Sequence, residues 1–546
     1  GTAGVFQKLG DLPEWKAPGY GQLRGKALNN GIAWASCLAF LMFGYDQGVM
    51  SGLLTLDDFQ RHFPLMTPLS RANNLCWLDS PVNTVRDEQM CTGDANTQAA
   101  AVALYQVGCF LGAVLILFYG EVWGRKSSTF WGSFIMIVGT IFQVAAGGTN
   151  GGDTAAYAVL IVGRVVGGIG NGMVTSSMFD RSIDYTTGLL LTNTAIPTWQ
   201  SECAKPEKRG RLIITSGAII VAGVMISYWI GYGFYFLPAG MSYSSVRWRF
   251  PVAFQSFFTI IVMYMLLYLP DSPRWLMMRG REEEARSLLA RLADADIDSE
   301  VVSLELSNIK EALAAQSSMG VFKMRELFTN GPSQNLRRTL LGIAAQFFQQ
   351  ICGINLITYY ATFVFENSLG FGPDMSRLLA AANGTEYFLA GLIAIPLIER
   401  VGRRKLMLFG AFGQMSSMII LAGSSSTAVI DDLGAPRLNT IYGVLATVFL
   451  FVFNTFFAIG WLGMTWLYPA EITNLRIRIQ ANALSTCSNW LSNFLIVMIT
   501  PPAFANLQYN TYTMFAVFNA ALLPAVYFFF PEPKGRSLEE LDVIFA

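Results

Sequence analysis

Apolar stretches of about 20 residues recur along this 546-residue chain, and they constrain its fold more than any other feature. A helix needs about 20 apolar residues to cross the hydrocarbon core of a bilayer. Hydrophobic residues make up 53% of the chain and charged residues 14%, against roughly a quarter charged in soluble proteins. We therefore predict an all-α membrane protein.

The apolar stretches predict twelve transmembrane helices in two pseudo-symmetric six-helix bundles. The predicted spans are 29–52, 99–119, 128–147, 156–200, 211–236, 249–270, 338–368, 376–398, 405–424, 440–469, 480–503 and 511–530. A polar segment 1–28 precedes the first bundle, 29–270, and a tail 532–546 follows the second, 338–531. The linker 271–337 is charged with helical periodicity, so we expect short helices on the membrane surface there.

Lys and Arg near the predicted span ends gather on the side of the linker. By the positive-inside rule, both termini and the linker are predicted to be cytoplasmic. We expect the plasma membrane as the location. Cys76 and Cys91 then share one external loop, where oxidising conditions allow a disulfide, although the residues alone leave that pairing open.

Composition argues against several classes of function. A formal net charge of zero does not favour nucleic acid as a partner. The sole histidine, His62, leaves almost no material for a metal site or a catalytic triad, so we expect no metal, no cofactor and no enzyme activity. The glycine run "GGIGNG" lies inside a predicted span, where close helix packing explains it better than phosphate binding.

Three pairs of motifs repeat at matching places in the two halves. "EVWGRK" (121–126) corresponds to "ERVGRR" (399–404), "ECAKPEKR" (202–209) to "EITNLRIR" (471–478), and "PDSPR" (270–274) to "PEPKG" (531–535). Carboxylates and guanidinium groups at these helix ends can form bidentate pairs that lock the bundles together. The alternative is a solvated belt of charges that only fixes topology. The predicted cytoplasmic gate comprises Glu121, Arg125, Glu202, Arg209, Glu399, Arg403, Glu471 and Arg478.

The stretch "QFFQQICGINLITYY" (346–360) places four amides in an apolar span. A buried amide costs free energy unless it is hydrogen-bonded. On one straight helix Gln346 and Asn355 point to opposite sides, so we expect a bend near Gly353 that aims Gln346, Gln349, Gln350 and Asn355 into one cavity. The alternative is that these amides join neighbouring helices.

A second polar cluster, "SNWLSNF", places Asn489 and Asn493 on one helical face. Trp466 and Tyr359 supply aromatic rings in other spans. Amides read hydroxyl groups, and aromatic faces pack on the C–H face of a sugar ring. This combination predicts a site for a neutral polyol.

These motifs resemble those of the sugar porter family of the major facilitator superfamily, especially its fungal members. The resemblance spans about 44–541 and rests on "GYDQG", "GRVVGGIGNG", "PTWQSE", "PDSPRWL", "QQICGIN", "ERVGRR", "WLYPAEI", "NWLSNF" and "PEPKGRSLEE". It implies that sugar is held by Gln349, Gln350, Asn355, Asn489 and Trp466, with help from Gln346 and Asn493. Ser216 and Gly217 lie where the family often has a glutamine, and this difference leaves the identity of the sugar open.

Asp46 and Arg164 are ionisable residues within predicted apolar spans. Ionisable groups at such positions are costly unless paired and are candidates for function. An ionised Asp46 can hold Arg164, and protonation can release it. The pair resembles the proton-coupling pair of sugar–proton symporters, although some facilitators retain a similar aspartate.

The segment 174–192 has no counterpart in the pattern of the family that the chain resembles. In that pattern a "GNGM"-like stretch is followed almost directly by a "PTWQSE"-like stretch. It carries Asp180, Arg181 and Asp184, which are costly in hydrocarbon. We interpret this atypical insert as a short intron retained in frame, with a genuine loop as the alternative.

Together these features predict a monomeric secondary active transporter that moves a hexose or pentose by alternating access, with sugar–proton symport as the first expectation. A facilitative uniporter is the alternative, and disaccharide, inositol or quinate transport remains open. A non-transporting sugar receptor is less favoured, because such receptors signal through a long cytoplasmic tail and only 532–546 follow the last span. The predicted partners are a small-molecule sugar, protons and the lipid bilayer.

Overall fold

A computed structural model describes residues 21–66, 93–147, 153–179, 209–237, 245–318, 324–331, 333–430, 436–474, 476–534 and 545. Within these residues twelve helical segments are long and apolar enough to cross a membrane, as the sequence predicts. Spans 1 to 6 are Gly25–Leu53, Ala95–Trp123, Arg125–Ala145, Asp153–Phe179, Arg209–Tyr235 and Val246–Leu266. A short helix, Asp57–His62, and a 3₁₀ turn, Pro64–Met66, follow span 1.

Two spans of the second bundle are each divided into two helices. Span 7 is Asn335–Ile351 followed by Ile354–Phe363 and a π-helical turn, Val364–Ser368; span 10 is Thr440–Gly460 followed by Met464–Ile472. Spans 8, 9, 11 and 12 are Pro373–Val401, Arg403–Ser425, Arg478–Leu507 and Asn510–Phe529. Between spans 9 and 10, strand Val429–Ile430 pairs antiparallel with strand Pro436–Arg437.

The linker forms the short helices that its charge pattern predicts. They are Pro273–Met278, Glu282–Ala293 and Glu300–Ser318, with a 3₁₀ turn at Met324–Phe328. The second linker helix lies against the start of span 1, where Asn29 Nδ2 donates to the Leu292 carbonyl oxygen at 3.1 Å. We call this face of the molecule the linker side and the opposite face the distal side.

Packing between spans repeats from one bundle to the other. Spans 1 and 5, 2 and 4, 3 and 4, and 3 and 6 pack together, and so do their counterparts six spans later. Across the bundles, span 2 packs on span 11, span 5 on span 8, and span 1 on the second helix of span 7. The predicted pair of related bundles is therefore confirmed.

Glycines permit the closest helix contact in the first bundle. A Cβ atom on Gly168 of span 4 would lie 2.3 Å from the Tyr105 carbonyl oxygen of span 2. A Cβ atom on Gly112 of span 2 would lie 2.2 Å from the Ile169 carbonyl oxygen of span 4. Any larger side chain would force these backbones apart, so the run "GGIGNG" serves helix packing, as expected.

Part of the sequence-based interpretation lies outside the described residues. Residues 174–179 of the predicted insert continue span 4, which is described to Phe179 rather than to the predicted 200. The remainder of the insert and the predicted disulfide partners fall outside, namely Asp180, Arg181, Asp184, Cys76 and Cys91. The insert and the disulfide therefore stay predictions.

Candidate functional site

Span 7 breaks at Gly353, as the sequence predicts. Gly353 has φ +103°, in the left-handed region that favours glycine, and a Cβ atom there would lie 3.0 Å from the Phe515 ring. The break leaves backbone carbonyls without helical partners. One of them, on Cys352, accepts a hydrogen bond from Asn519 Nδ2 of span 12 at 2.8 Å. Span 12 thus stabilises the bend that positions the amides of span 7.

The bend brings five amides into one hydrogen-bonded chain. Asn489 Nδ2 of span 11 donates to Gln346 Oε1 at 2.7 Å and to Gln349 Oε1 at 3.2 Å. Gln350 Nε2 donates to Gln349 Oε1 at 3.3 Å, and Asn355 Nδ2 donates to Gln350 Oε1. All five side chains are buried. The bend thus brings the amides together, as predicted, but into mutual hydrogen bonds; the predicted cavity and sugar binding by these residues stay predictions.

The break in span 10 is a feature that the sequence analysis missed. Span 10 was predicted as one helix over 440–469, but it is interrupted between Gly460 and Met464. Two carbonyl oxygens at and just after this interruption accept from span 7 amides: Gln346 Nε2 donates to Thr465 at 3.0 Å and Gln349 Nε2 to Trp461 at 3.4 Å. The amides therefore connect two broken spans. The sequence signal that could have predicted this break is "GWLG" (460–463), in which two glycines lie around a buried tryptophan.

Three other predicted substrate residues lie on the same spans. The Tyr359 hydroxyl, in the second helix of span 7, accepts a hydrogen bond from Gln106 Nε2 of span 2 at 2.6 Å and so joins the two bundles. Asn493 is buried one turn after Asn489, and its Oδ1 has no partner in the part of the chain that the structure describes. Trp466 is half-buried near the start of the second helix of span 10.

Asp46 and Arg164 meet inside the first bundle, as predicted. Arg164 Nη1 lies 3.3 Å from Asp46 Oδ1, and both side chains have no exposed surface. The guanidinium carbon lies 4.4 Å from the Tyr105 ring centroid, and Nη2 donates to the Val102 carbonyl oxygen at 3.4 Å. Asp46 Oδ2 and Arg164 Nε have no hydrogen-bond partner among the described residues. Because desolvation of a buried ion pair is costly, such a pair is weak evidence for stability and is a candidate for a functional role.

Hydrogen bonds join the two bundles on the distal side of the amides. The Tyr228 hydroxyl of span 5 donates to the Thr358 carbonyl oxygen of span 7 at 2.5 Å. Ser51 Oγ of span 1 accepts from the Thr362 backbone N–H at 3.1 Å. These contacts hold the second helix of span 7 against the first bundle.

A charged cluster at the distal ends of spans 5, 7 and 8 was not anticipated from the sequence. Arg377 Nη2 of span 8 donates to the Thr55 carbonyl oxygen at 2.9 Å and to Thr55 Oγ1 at 3.1 Å. Arg377 Nη1 lies 3.5 Å from Glu366 Oε2, and its guanidinium carbon lies 4.3 Å from the Tyr235 ring centroid. Arg377 thus links both bundles at the distal end.

On the linker side, one predicted gate pair is bidentate. Arg403 Nη2 and Nε donate to the two carboxylate oxygens of Glu471 at 2.9 and 3.3 Å. Arg478 Nη2 donates to the Thr473 carbonyl oxygen at 2.7 Å. These contacts lie within the second bundle, and gating between the bundles stays a prediction. The side chains outside the described set are those of Glu121, Glu202, Arg209 and Glu399.

The "PDSPR" and "PEPKG" motifs occupy equivalent positions at the starts of spans 3 and 9. Asp271 Oδ1 accepts the Arg125 backbone N–H at 3.1 Å. Glu532 accepts the backbone N–H groups of Arg403 and Arg404 at 2.9 and 3.0 Å. A carboxylate at a helix N-terminus satisfies free N–H groups and interacts favourably with the helix dipole. The repeated motifs therefore make the same contact in each bundle, a carboxylate that caps the start of a helix, and we call each of these contacts a joint.

A glycine precedes the helix at each joint and gives the carboxylate access. Gly124 has φ +80° and Gly402 has φ +108°. A Cβ atom would lie 2.6 Å from Asp271 Oδ2 at the first and 2.8 Å from Glu532 Oε2 at the second. Only glycine fits both the backbone conformation and the space.

Comparison with known proteins agrees with this architecture. The family model described as "Sugar (and other) transporter" matches residues 32–179 and 187–545. The chain is 37% identical over 526 residues to "Sugar transporter STL1" of Saccharomyces cerevisiae, covering 96% of this chain and 82% of that protein. It is 31% identical over 524 residues to a "Probable quinate permease" of Aspergillus niger, covering 94% of this chain and 87% of that protein.

Solved structures share the fold. The proton:xylose symporter XylE, from E. coli, bound to 6-bromo-6-deoxy-D-glucose, superposes with a TM-score of 0.70 at 21% identity, covering 96% of this chain and all of that one. At this identity the likeness concerns the fold alone. The matched family model and the relative at 37% identity show that this multi-pass membrane protein belongs to the sugar transporter family of the major facilitator superfamily.

Proposed function

We propose that this chain carries a monosaccharide, a hexose or pentose, across the membrane together with a proton. The observation that carries the proposal is the chain of buried amides where the broken spans 7 and 10 meet span 11. Broken helices at mid-membrane leave backbone carbonyls and amides available to a ligand, which continuous helices do not. The amides then exchange their mutual hydrogen bonds for bonds to substrate hydroxyls.

The chemistry of the amide chain favours a neutral polyol. Gln346, Gln349, Gln350, Asn355 and Asn489 each offer both donors and acceptors, which matches hydroxyl groups that also do both. Quinate carries a carboxylate, and carboxylates are bound best by guanidinium or ammonium groups. The hydrogen bonds described within the chain of amides involve neutral groups only. We therefore favour a sugar over quinate.

The Asp46–Arg164 pair supports proton coupling. Asp46 has one carboxylate oxygen on Arg164 and the other without a partner among the described residues. Protonation neutralises the carboxylate and weakens its hold on Arg164. Because Arg164 also contacts Tyr105 of span 2, its release changes packing between spans 2 and 4. A uniporter that uses the pair only for structure is the competing function.

Transport by alternating access requires the distal contacts to break and re-form. Ser51, Tyr228 and Arg377 hold the bundles together on that side in this structure. We propose that the distal side is extracellular, that the termini and linker are cytoplasmic, and that the linker-side ion pairs guard the cytoplasmic exit. We further propose that a monomer in the plasma membrane is the working unit.

The test is uptake of radiolabelled sugars by yeast that lacks its own hexose carriers. The chain is expressed with and without residues 174–192, and uptake is measured across hexoses, pentoses, inositol and quinate, with and without a protonophore. We expect saturable uptake of at least one monosaccharide and loss of accumulation with the protonophore.

Each alternative gives a different result. Uptake that equilibrates but never accumulates, and that ignores the protonophore, indicates a uniporter. Uptake of quinate alone contradicts the assignment of a neutral substrate. If only the shortened chain transports, the segment 174–192 is an insertion that blocks function.

A further inference from the structure

Span 8 carries a carboxylic acid near its midpoint, between lipid and the neighbouring span 10. Glu386 lies near the centre of Pro373–Ile398 and is half-buried. On adjacent turns, Leu389 and Ile393 are 54% and 58% exposed, which is typical of a face that meets hydrocarbon. An ionised carboxylate at such a depth is costly without a cation beside it.

Glu386 contacts a neutral partner instead of a cation. Thr455 Oγ1 of span 10 lies 2.5 Å from Glu386 Oε1. Glu386 Oε2 is buried and has no hydrogen-bond partner among the described residues. None of the ion pairs in the described part of the chain includes Glu386. Asp46, the other mid-span carboxylic acid, is paired with Arg164.

The hydrogen bonds around Thr455 fit a protonated carboxyl group. Thr455 Oγ1 lies 3.3 Å from the Phe451 carbonyl oxygen as well as close to Glu386. The hydroxyl has one hydrogen and can donate to only one of them. If Glu386 is protonated, its O–H donates to Thr455 Oγ1, and Thr455 donates to Phe451, so both contacts are hydrogen bonds. If Glu386 is ionised, only one of the two contacts of Thr455 Oγ1 can be a hydrogen bond.

A second polar contact lies one turn away on the same two spans. Asn454 Nδ2 donates to Asn383 Oδ1 at 2.8 Å, and both residues are buried. We call Asn383, Glu386, Asn454 and Thr455 the span 8–10 seam. Span 10 also supplies the carbonyl oxygens that receive the span 7 amides, so movement along this seam reaches the candidate substrate site.

We propose that Glu386 is a proton-binding site in the membrane interior, and that the bound proton holds span 10 against span 8. Loss of the proton places a charge in the seam and loosens it. The proton site stands on its own geometry, whereas its effect on transport rests on the proposed function.

The titratable and charged groups near the seam are few. Tyr387 follows Glu386 on span 8 but packs against Phe457, with ring centroids 6.0 Å apart. The described side chains of span 5, from Thr215 to Tyr235, include tyrosines and no charged residue, and span 10 between Thr440 and Gly460 carries Tyr442 and no charged residue. Arg377, the nearest guanidinium on span 8, is nine residues away, about 13 Å along the helix. The described charges of spans 7 and 9 lie near their ends, at Arg337, Arg338 and Glu366 and at Arg403, Arg404 and Lys405.

Infrared spectroscopy of the purified full chain in lipid nanodiscs tests the site directly. The carbonyl band of a protonated carboxylic acid should be present in the wild type near neutral pH and reduced in Glu386→Gln. Asp46→Asn should leave the Glu386 band in place, and Glu305→Gln, on the exposed linker, serves as a further control. In Thr455→Val the band should shift, because its hydrogen-bond acceptor is lost. A band that is unchanged in Glu386→Gln overturns the proposal.

Thermal unfolding provides a second readout. When the pH is raised from about 5 to about 9, the Tm of the wild type should fall by on the order of 2 °C or more beyond any fall in the Tm of Glu386→Gln. The reason is that ionisation of Glu386 introduces an uncompensated charge. Glu305→Gln should follow the wild type. Equal pH profiles for the wild type and Glu386→Gln contradict the proposal.

Transport completes the test and separates the two proposals. In the uptake assay, Glu386→Gln should retain uptake and show a smaller alkaline decline than the wild type, because the part of the decline that comes from proton coupling remains. If the wild type moves no sugar or quinate at all, the proposed function fails, while the infrared and unfolding results still decide the proton site. If Glu386→Gln retains the band and the pH dependence, the proton site fails and the proposed function stands.

Discussion

The two bundles repeat each other in packing and in their linker-side joints, but they differ in what they hold at membrane depth. The first bundle holds an ion pair, Asp46 and Arg164, within spans that the described residues show as continuous. The second holds a chain of amides between two broken spans. A carboxylate can bind a proton, whereas an array of amides can form hydrogen bonds to hydroxyl groups. Under the proposed function, the first bundle supplies the ion pair for proton coupling and the second supplies the amides for the sugar, on a common frame.

The largest expected effect comes from removing the charge in the first bundle. Asp46→Asn should abolish sugar-induced proton uptake and accumulation, because the amide cannot titrate. It also leaves Arg164 buried without a carboxylate, which costs about 3–5 kcal/mol of stability. The measurement is alkalinisation of the medium on addition of sugar.

A double variant separates coupling from folding. Asp46→Asn with Arg164→Gln removes the unpaired charge and should recover much of the lost stability without restoring proton uptake. Normal coupling in either variant would show that the ion pair is structural, and the contrast between the bundles would then disappear.

The next effect should come from the amides of the second bundle. Asn489→Ala removes the donor shared by Gln346 and Gln349, which should weaken substrate binding by about 1–3 kcal/mol and so raise KM about 5-fold to 150-fold. Asn506→Ala, at the exposed end of span 11, is the matched control and should leave KM unchanged. Loss of stability with an unchanged KM would instead favour amides that only join helices.

Two glycine-to-alanine variants test the break in span 7. Gly353→Ala introduces a Cβ atom at φ +103° and 3.0 Å from Phe515, so it should destabilise the protein by about 2 kcal/mol and impair uptake. Gly423→Ala, in span 9 with no atom within 4 Å of the new Cβ, should be neutral or stabilising by up to about 1 kcal/mol. Thermal unfolding of both variants gives the comparison. Equal stabilities would mean that the break is not constrained.

The smallest effects should be found at the repeated joints. Asp271→Asn and Glu532→Gln each weaken charge-assisted hydrogen bonds to a helix N-terminus, at a cost of about 1 kcal/mol. Similar losses of Tm would support equivalence of the two bundles on the linker side. A loss at only one joint would extend the difference between the bundles from the membrane interior to their ends.

The sequence predicts much of the candidate site because its residues break local rules. Gln346, Gln349, Gln350 and Asn355 are polar where the surrounding pattern is apolar, and Gly353 marks the one place where a bend could bring them together. Asp46 and Arg164 are conspicuous for the same reason. The break in span 10 and the contacts of Arg377 were missed, since each depends on a partner far away in the chain: Gln346 and Gln349 for the first, Thr55 for the second.

The number of spans, their division into two related bundles and the polar residues within the membrane can all be predicted from the sequence. These features are predictable because apolar length and helical periodicity are local properties of the chain. Which amide donates to which, where span 10 breaks, and the contact of Glu386 with Thr455 rather than a cation became known only from the packed helices. Hydrogen bonds at membrane depth depend on distance and orientation between separate helices, and those are fixed only when the helices pack.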